Sequence, residues 1–187
     1  MHTPLSPGRD EPACNRIDIK LNEVRQLFNS LDPSPFHEKD LEGSAADYIE
    51  EAAREFHTTA PLKLVLHLPV DVCNDETTRI VSDSVHYYFG YRADSARREL
   101  RFTLTQGRTA LLIGLTFLFM CIVAQQFIAS LDKQGLLWQI IKEGFLISGW
   151  VAMWKPIDIF LYQWWPIDRR RRLFSRLAKM PVELQPY

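Results

Sequence analysis

The side chains able to do chemistry in this 187-residue chain are dispersed rather than gathered into one motif. His37, Glu38 and Asp40 lie within four positions, and His57, His67 and His86 are spread along the same half. Imidazole and carboxylate groups hold a zinc ion when they converge at about 2.0–2.3 Å from it, and a helical zinc site usually shows a His-Glu-x-x-His pattern. That pattern does not occur. His37-Glu38-Lys39-Asp40 therefore reads as a solvated turn, and His67, inside an apolar run, as a core histidine whose nitrogens are satisfied. Asp47, Glu50, Glu51 and Glu55 recur at helical spacing. Such a row could bind cations or supply a general acid and base, but it is more commonly the wet face of a helix. The sequence has no glycine-rich phosphate loop, no serine nucleophile elbow and no Cys–His spacing that implies proximity. The expectation is a chain that is not an enzyme, with no catalytic residue, no metal ligand and no cofactor. A membrane-tethered hydrolase assembled from scattered residues is the less favoured reading.

A second set of polar groups lies inside apolar sequence. Residues 109–131 and 144–162 are each about long enough to cross a hydrocarbon core of roughly 30 Å, which takes about 20 helical residues. Gln125 and Gln126 sit toward the end of the first segment, and glutamines in such helices commonly hydrogen-bond to a neighbouring helix. Lys155, Pro156 and Asp158 interrupt the second segment. Lys155 and Asp158 are three residues apart and face one side of a helix, where they could pair. An ionisable residue within a span is by default a functional hypothesis, here an oligomeric transport or channel component. The competing reading is that both reach the interface by snorkelling. Pro156 is expected to kink or break the helix.

The basic and aromatic residues set the expected topology. Arg92, Arg97, Arg98, Arg101 and Arg108 precede the first segment, and Arg169, Arg170, Arg171, Arg172, Arg176 and Lys179 follow the second, while only Lys133 and Lys142 lie between. The positive-inside rule then assigns both termini to the cytoplasm. Trp138, Trp164 and Trp165 stand where interfacial aromatics are expected, and with Arg169 to Arg172 they read as membrane anchors. Charge is segregated: residues 1–90 carry 8 Lys/Arg against 16 Asp/Glu, and residues 91–187 carry 14 against 7. An acidic half is repelled by an anionic membrane surface and the basic flanks are drawn to it. Juxtamembrane arginines need no nucleic acid to explain them.

The elements expected to position these groups form an α+β soluble head of two or three short strands and three helices, followed by an α-helical two-span transmembrane hairpin. Ile17, Ile19 and Leu21 alternate with polar residues as a half-buried strand. Val24, Leu27, Phe28 and Leu31 follow at helical spacing behind an Asn22 cap, up to Asp32-Pro33-Ser34-Pro35. A helix spans about residues 44–57, a buried strand fills 62–68 between Pro61 and Pro69, and Asn74 caps a long helix with bends expected at Gly90 and Gly107. Two strands rarely make a stable sheet, so a homodimer or a third strand near residues 35–41 is expected to complete it. The organisation is a disordered tail at 1–15, a cytoplasmic head with helical stalk at 16–106, spans at 107–131 and 144–163 joined by an external loop at 132–143, and a basic cytoplasmic tail at 164–187. Cys14, Cys73 and Cys121 make no disulfide framework and are read as reduced thiols. The first fifteen residues lack a signal-type apolar stretch, so the head is expected not to be exported.

Ser30-Leu31-Asp32-Pro33-Ser34-Pro35-Phe36 and Trp165-Pro166-Ile167-Asp168-Arg169-Arg170-Arg171-Arg172-Leu173 resemble segments of uncharacterised bacterial small membrane proteins that pair a soluble head with a C-terminal hairpin. The resemblance implies a bacterial inner-membrane setting, and no activity, cofactor or site. With the charge segregation, it leads to the expectation of a membrane-anchored adaptor or accessory subunit, with the lipid bilayer and a protein partner or further copies of itself as its contacts.

Overall fold

The computed structural model describes residues 15–30, 40–56, 61–130 and 135–187, so residues 1–14 of the expected tail, with Cys14, and His37, Glu38, His57 and Lys133 lie outside the described residues, while Asn15 belongs to a strand. The structure is mostly helical, with a small parallel sheet and two long apolar helices. It divides into two compact units, one of Met1–Asp94 with Arg171–Tyr187 and the other of Ser95–Arg170.

The first unit is built on three parallel strands in the order β1 (Asn15–Lys20), β2 (Leu62–Leu68), β3 (Val182–Pro186). Register pairs Ile17 with Leu64, and Leu64 in turn with Val182. Successive strand residues face opposite ways, so one side of the sheet is Ile17, Leu64, Leu66 and Val182, all buried. Parallel neighbours need a crossover connection. The β1–β2 crossover carries helix α1 (Gly43–Glu55), which buries Ala46, Ile49 and Ala53 and exposes Asp47, Glu51 and Glu55. The β2–β3 crossover carries every remaining helix. Helix α2 (Asp75–Ser130) starts as the sequence suggests, with the Thr77 N–H donating to Asn74 Oδ1 at 2.6 Å. Val81, Val85 and Phe89 from its first part join Ile49, Phe174 and Leu177 in the core, where the rings of Phe89 and Phe174 lie 6.3 Å apart.

Three expectations change here. Residues 24–30 do not form an α-helix, and Leu31 lies outside the described residues; Val24–Leu27 is one 3-10 turn with a Glu23/Gln26 capping box. The chain then doubles back, pairing Phe28 with Leu41 and donating the Asn29 N–H to Asp40 O at 2.8 Å, so backbone pairing across the loop replaces continued helix. The third strand comes from Val182–Pro186 rather than from residues 35–41, most of which lie outside the described residues. Residues 164–187 are consequently no free tail. They form helix α5 (Trp164–Leu177) and β3, and His86 Nε2–H donates to Met180 O at 2.7 Å.

In the second unit, the later part of α2 is followed by α3 (Leu136–Ala152), α4 (Trp154–Asp158), a π-helical turn at Ile159–Gln163 and α5. Helix begins at Leu136 inside the expected 132–143 loop, because Leu136, Leu137, Ile140 and Ile141 continue a helical apolar pattern. Pro156 lies just past an interruption of the helix, with α3 stopping at Ala152 and α4 starting at Trp154. It lacks an N–H, so the carbonyl of Ala152 loses its i+4 donor, and the bonding shifts locally, with the Met153 N–H donating to Trp150 O at 3.0 Å. The freed Ala152 carbonyl faces Gly114, where a Cβ would stand only 3.0 Å from its oxygen. A Cβ at Gly107 would meet Ile159 Cγ2 at 2.8 Å, and one at Gly149 would meet Leu118 Cδ1 at 2.7 Å. These contacts run antiparallel, and they account for Gly107 by close helix packing rather than by a bend, since α2 is one uninterrupted helix. Hydroxyls along α2 bond back to its own carbonyls, Thr105 to Arg101 O at 2.9 Å and Thr116 to Leu112 O at 2.8 Å. Such self-satisfaction suits a helix without water around it.

Two outcomes test this architecture. Deleting residues 182–187 strips β2 of one ladder, and the β2 amides are expected to lose slow hydrogen exchange although they lie more than a hundred residues away. Gly114→Val overpacks against backbone and is expected to cost about 2 kcal/mol in unfolding of the purified protein, whereas Gly144→Val, with open space around its Cβ, leaves the midpoint near wild type.

Candidate functional site

The strand alternation that buries Ile17, Leu64 and Leu66 turns Arg16, Asp18, Lys63, His67, Glu183 and Gln185 to the opposite side of the sheet. Parallel register aligns His67 of β2 with Lys20 of β1 and Gln185 of β3. The side chains then join across all three strands. His67 Nε2–H donates to Asp18 Oδ1 at 2.8 Å, and Arg16 Nε–H donates to the same oxygen at 2.7 Å. Arg16 Nη2 donates to Gln185 Oε1 at 2.9 Å and lies 3.3 Å from His67 Nε2. Lys63 pairs with Glu183 at 2.6 Å. His67 is thus satisfied, but by a carboxylate on an open face and not in the core.

Desolvation opposes the charged form of Asp18, yet the hydrogen bonds from His67 and Arg16, together with the Arg16 charge, outweigh it and hold its carboxyl below the ordinary 3.8. An imidazole oriented by a carboxylate can serve as a general base. Among the described residues, however, no nucleophile and no group of three or more metal-ligating side chains accompanies it. The cluster works as a cross-strand brace.

At the carboxyl ends of β1 and β2 a cavity of about 360 Å³ is lined by Glu23, Val24, Arg25, Val72, Thr77, Ile80 and Val81. Crevices outside the carboxyl ends of parallel strands are the usual ligand sites of open α/β sheets. The walls here are mainly apolar, and Asp75 and Glu76 occupy the adjoining first turn of α2. Beside it Tyr187 O–H donates to Asn22 Oδ1 at 3.1 Å, and Lys20 Nζ stands 4.1 Å over the Tyr187 ring.

The acidic row on α1 divides. Glu50 pairs with Arg54 and, at 3.7 Å, with Arg92, while Asp47, Glu51 and Glu55 stay exposed. Arg92 also lies 5.0 Å over the Phe174 ring and 5.7 Å over Tyr88, so it braces the first unit and is not a lipid-facing flank residue. Burial raises the Tyr88 phenol above its ordinary value; Arg92 opposes this, and Asp40, Asp47 and Glu50 add to it.

The polar residues of the apolar helices are placed separately. Gln125 is half-buried and Gln126 exposed, and among the described residues neither makes a hydrogen bond to another helix. Lys155 does not pair with Asp158: Lys155 is exposed, and Asp158 Oδ2 accepts from Gln163 Nε2 at 2.6 Å across the π-turn, whose extra residue brings position i+5 over position i. Trp138 is half-buried in the first turn of α3. Trp164 donates Nε1–H to Phe160 O at 2.7 Å, and exposed Trp165 carries Arg169 at 5.0 Å over its ring. Arg170 and Arg172 are exposed, and Arg171 is half-buried. The cross-strand cluster escaped the sequence reading because its members are up to 169 positions apart. The alternation of Arg16, Asp18 and Lys20 was the visible half of the signal.

Because the Asp18 carboxyl is held low in the fold, the stability it contributes is complete above the unfolded value of 3.8 and is lost as pH falls through the folded value beneath it. Asp18→Asn is accordingly expected to destabilise the protein at neutral pH, with the difference from wild type closing only under acid well below pH 4. Denaturant midpoints of the two proteins across that range check it. Compared with family models, with curated proteins and with solved structures, the chain matches none of them.

Proposed function

We propose that the chain is a membrane-anchored adaptor or accessory subunit. In this reading the two apolar helices form a transmembrane hairpin in a bacterial inner membrane, both termini are cytoplasmic, and the strand-bearing unit is a soluble head offered to a protein partner. The observation that carries the reading is the apolar surface of the second unit. Both Asp75–Ser130 and Leu136–Leu177 are long and apolar enough to cross a membrane, with mean hydropathy 2.2 and 1.2 in their best windows, and only 11% and 17% of those windows is buried. Leu112, Ile113, Phe119, Leu136, Trp150 and Trp154 all stand open. Apolar exposure on that scale marks a membrane or protein contact.

The head's role follows from its charge and its sheet. The first unit carries 13 Lys/Arg against 18 Asp/Glu, a balance of −5, and the second carries 9 against 5, a balance of +4. Parallel sheets are ordinarily covered on both faces, yet the polar side of this one keeps Arg16 and Asp18 exposed. Complementary charge of this kind steers and orients a partner. A basic surface of a cytoplasmic protein suits the exposed Asp47, Glu51 and Glu55 of α1.

The test uses the full chain. It is expected to resist alkaline extraction from membranes and, in mild detergent, to carry one reproducible partner that high salt releases. Glu51→Lys with Glu55→Lys is expected to reduce its retention about tenfold while the protein stays in the membrane. Release by alkaline carbonate would overturn the membrane reading. Membrane retention with no partner, or with a partner indifferent to salt and to the charge reversal, would overturn the adaptor reading.

A further inference from the structure

Within the second unit, the packed face of α2 is marked by Ala96, Thr103, Gly107, Gly114 and Cys121, all buried. Arg97 and Arg108 each follow one of these positions directly, so they stand about 100° round the helix from the packed face, and Arg101 falls on the same line. All three are exposed and make no ion pair among the described residues. The same line continues through Leu112, Leu115 and Phe119, exposed at 68%, 46% and 67%. Glu99, the nearest acid on this stretch of α2, falls on the opposite flank. One side of the helix thus passes from three unpaired guanidinium groups to bare hydrocarbon.

The returning helix presents a matching edge. Half-buried Trp164 and buried Asp168 mark its inward line, and Trp165 and Arg169 each follow by one residue, again about 100° round. In two antiparallel helices, a turn in the same sense from each packed line arrives on the same flank of the pair. Levels agree as well. Gly107 meets Ile159 and Phe160, so six residues back along α2, at Arg101, corresponds to six residues on, at Trp165. The cation–π contact holds Arg169 over the Trp165 ring at 5.0 Å, which leaves its donors free to turn outward. Asp158 is engaged with Gln163 and does not neutralise this edge.

We propose that this flank binds an anionic phospholipid, its headgroup phosphate held by Arg101, Arg108 and Arg169 and an acyl chain laid along Leu112, Leu115 and Phe119. The chemistry is specific in its order: guanidinium forks match phosphate oxygens in bidentate fashion, an indole sits at headgroup level, and the apolar strip follows where the tail begins. Arg97 extends the basic end. The proposal rests on the membrane reading above and adds a ligand class to it.

The experiment reconstitutes the full chain into vesicles of equimolar phosphatidylglycerol and phosphatidylcholine, extracts it gently and identifies the retained lipid by native mass spectrometry. Phosphatidylglycerol is expected to be enriched on the wild-type protein, an outcome that needs no variant. Each arginine near an anionic surface is worth about fivefold in binding, so Arg101→Gln with Arg169→Gln is expected to cut retention on the order of 25-fold. Arg170→Gln removes one such charge from an exposed position off this flank; where bulk attraction would cost about fivefold, it is expected to change retention less than twofold. A loss of twofold or more in Arg170→Gln would mean bulk attraction and overturn the site, as would equal retention of the two lipids by an inserted protein. Displacement of the lipid by inorganic phosphate would overturn it in favour of a soluble phosphate ligand. Failure to insert at all would instead refute the membrane reading itself.

Discussion

The pairing of β3 with β2 is the constraint on which the remaining structure depends. Val182–Pro186 lies alongside Leu62–Leu68, so the chain that leaves the first unit after Asp94 has to return to it at Arg171. A parallel neighbour cannot be reached by a tight turn; it needs a crossover, and here that crossover is the whole of the two long apolar helices. Antiparallel packing brings the path back. The strand-bearing unit and the apolar pair are therefore parts of one topology, and β2 acquires its second neighbour only after both apolar helices have been traversed.

Close approach of the apolar helices has its own physical basis. Small residues let two helix backbones approach closely. Gly107, Gly114 and Gly149 provide that approach, and at Gly114 the facing atom is the Ala152 carbonyl left without a donor by Pro156. A Cα–H can meet such an oxygen where a methyl group could not. Proline on one helix and glycine on the other are thus complementary, and the π-turn at Ile159–Gln163 absorbs the change in bonding.

The sheet's two sides divide the labour of the first unit. One is the core, and the other carries the Arg16–Asp18–His67–Gln185 cluster, which ties all three strands from the solvent side. Not all of the basic charge near the apolar segments is free to face outward: Arg92 is held by Glu50 and two aromatic rings. Arg97, Arg101 and Arg108, which make no ion pair among the described residues, gather on one line of α2, which is why charge count alone understates how localised the basic surface is.

The sequence by itself determined the local elements whose signals are short-range. Leu62–Leu68 between two prolines is a strand because its five apolar residues can be buried, the Asn74 cap starts α2, and the apolar spacing of α1 specifies its buried face. It also determined two stretches long and apolar enough to span a bilayer, since length and composition suffice for that. Tertiary structure decided what depends on distant partners. Residues 164–187 read as a basic tail, and nothing local says that Phe174 stacks on Phe89 or that the strand after it completes the sheet. Asp18, His67 and Gln185 become one cluster only through parallel register, and Gly114 acquires its purpose only opposite a freed carbonyl. In each case the deciding energy comes from contacts between residues far apart in the chain, which no window of sequence contains.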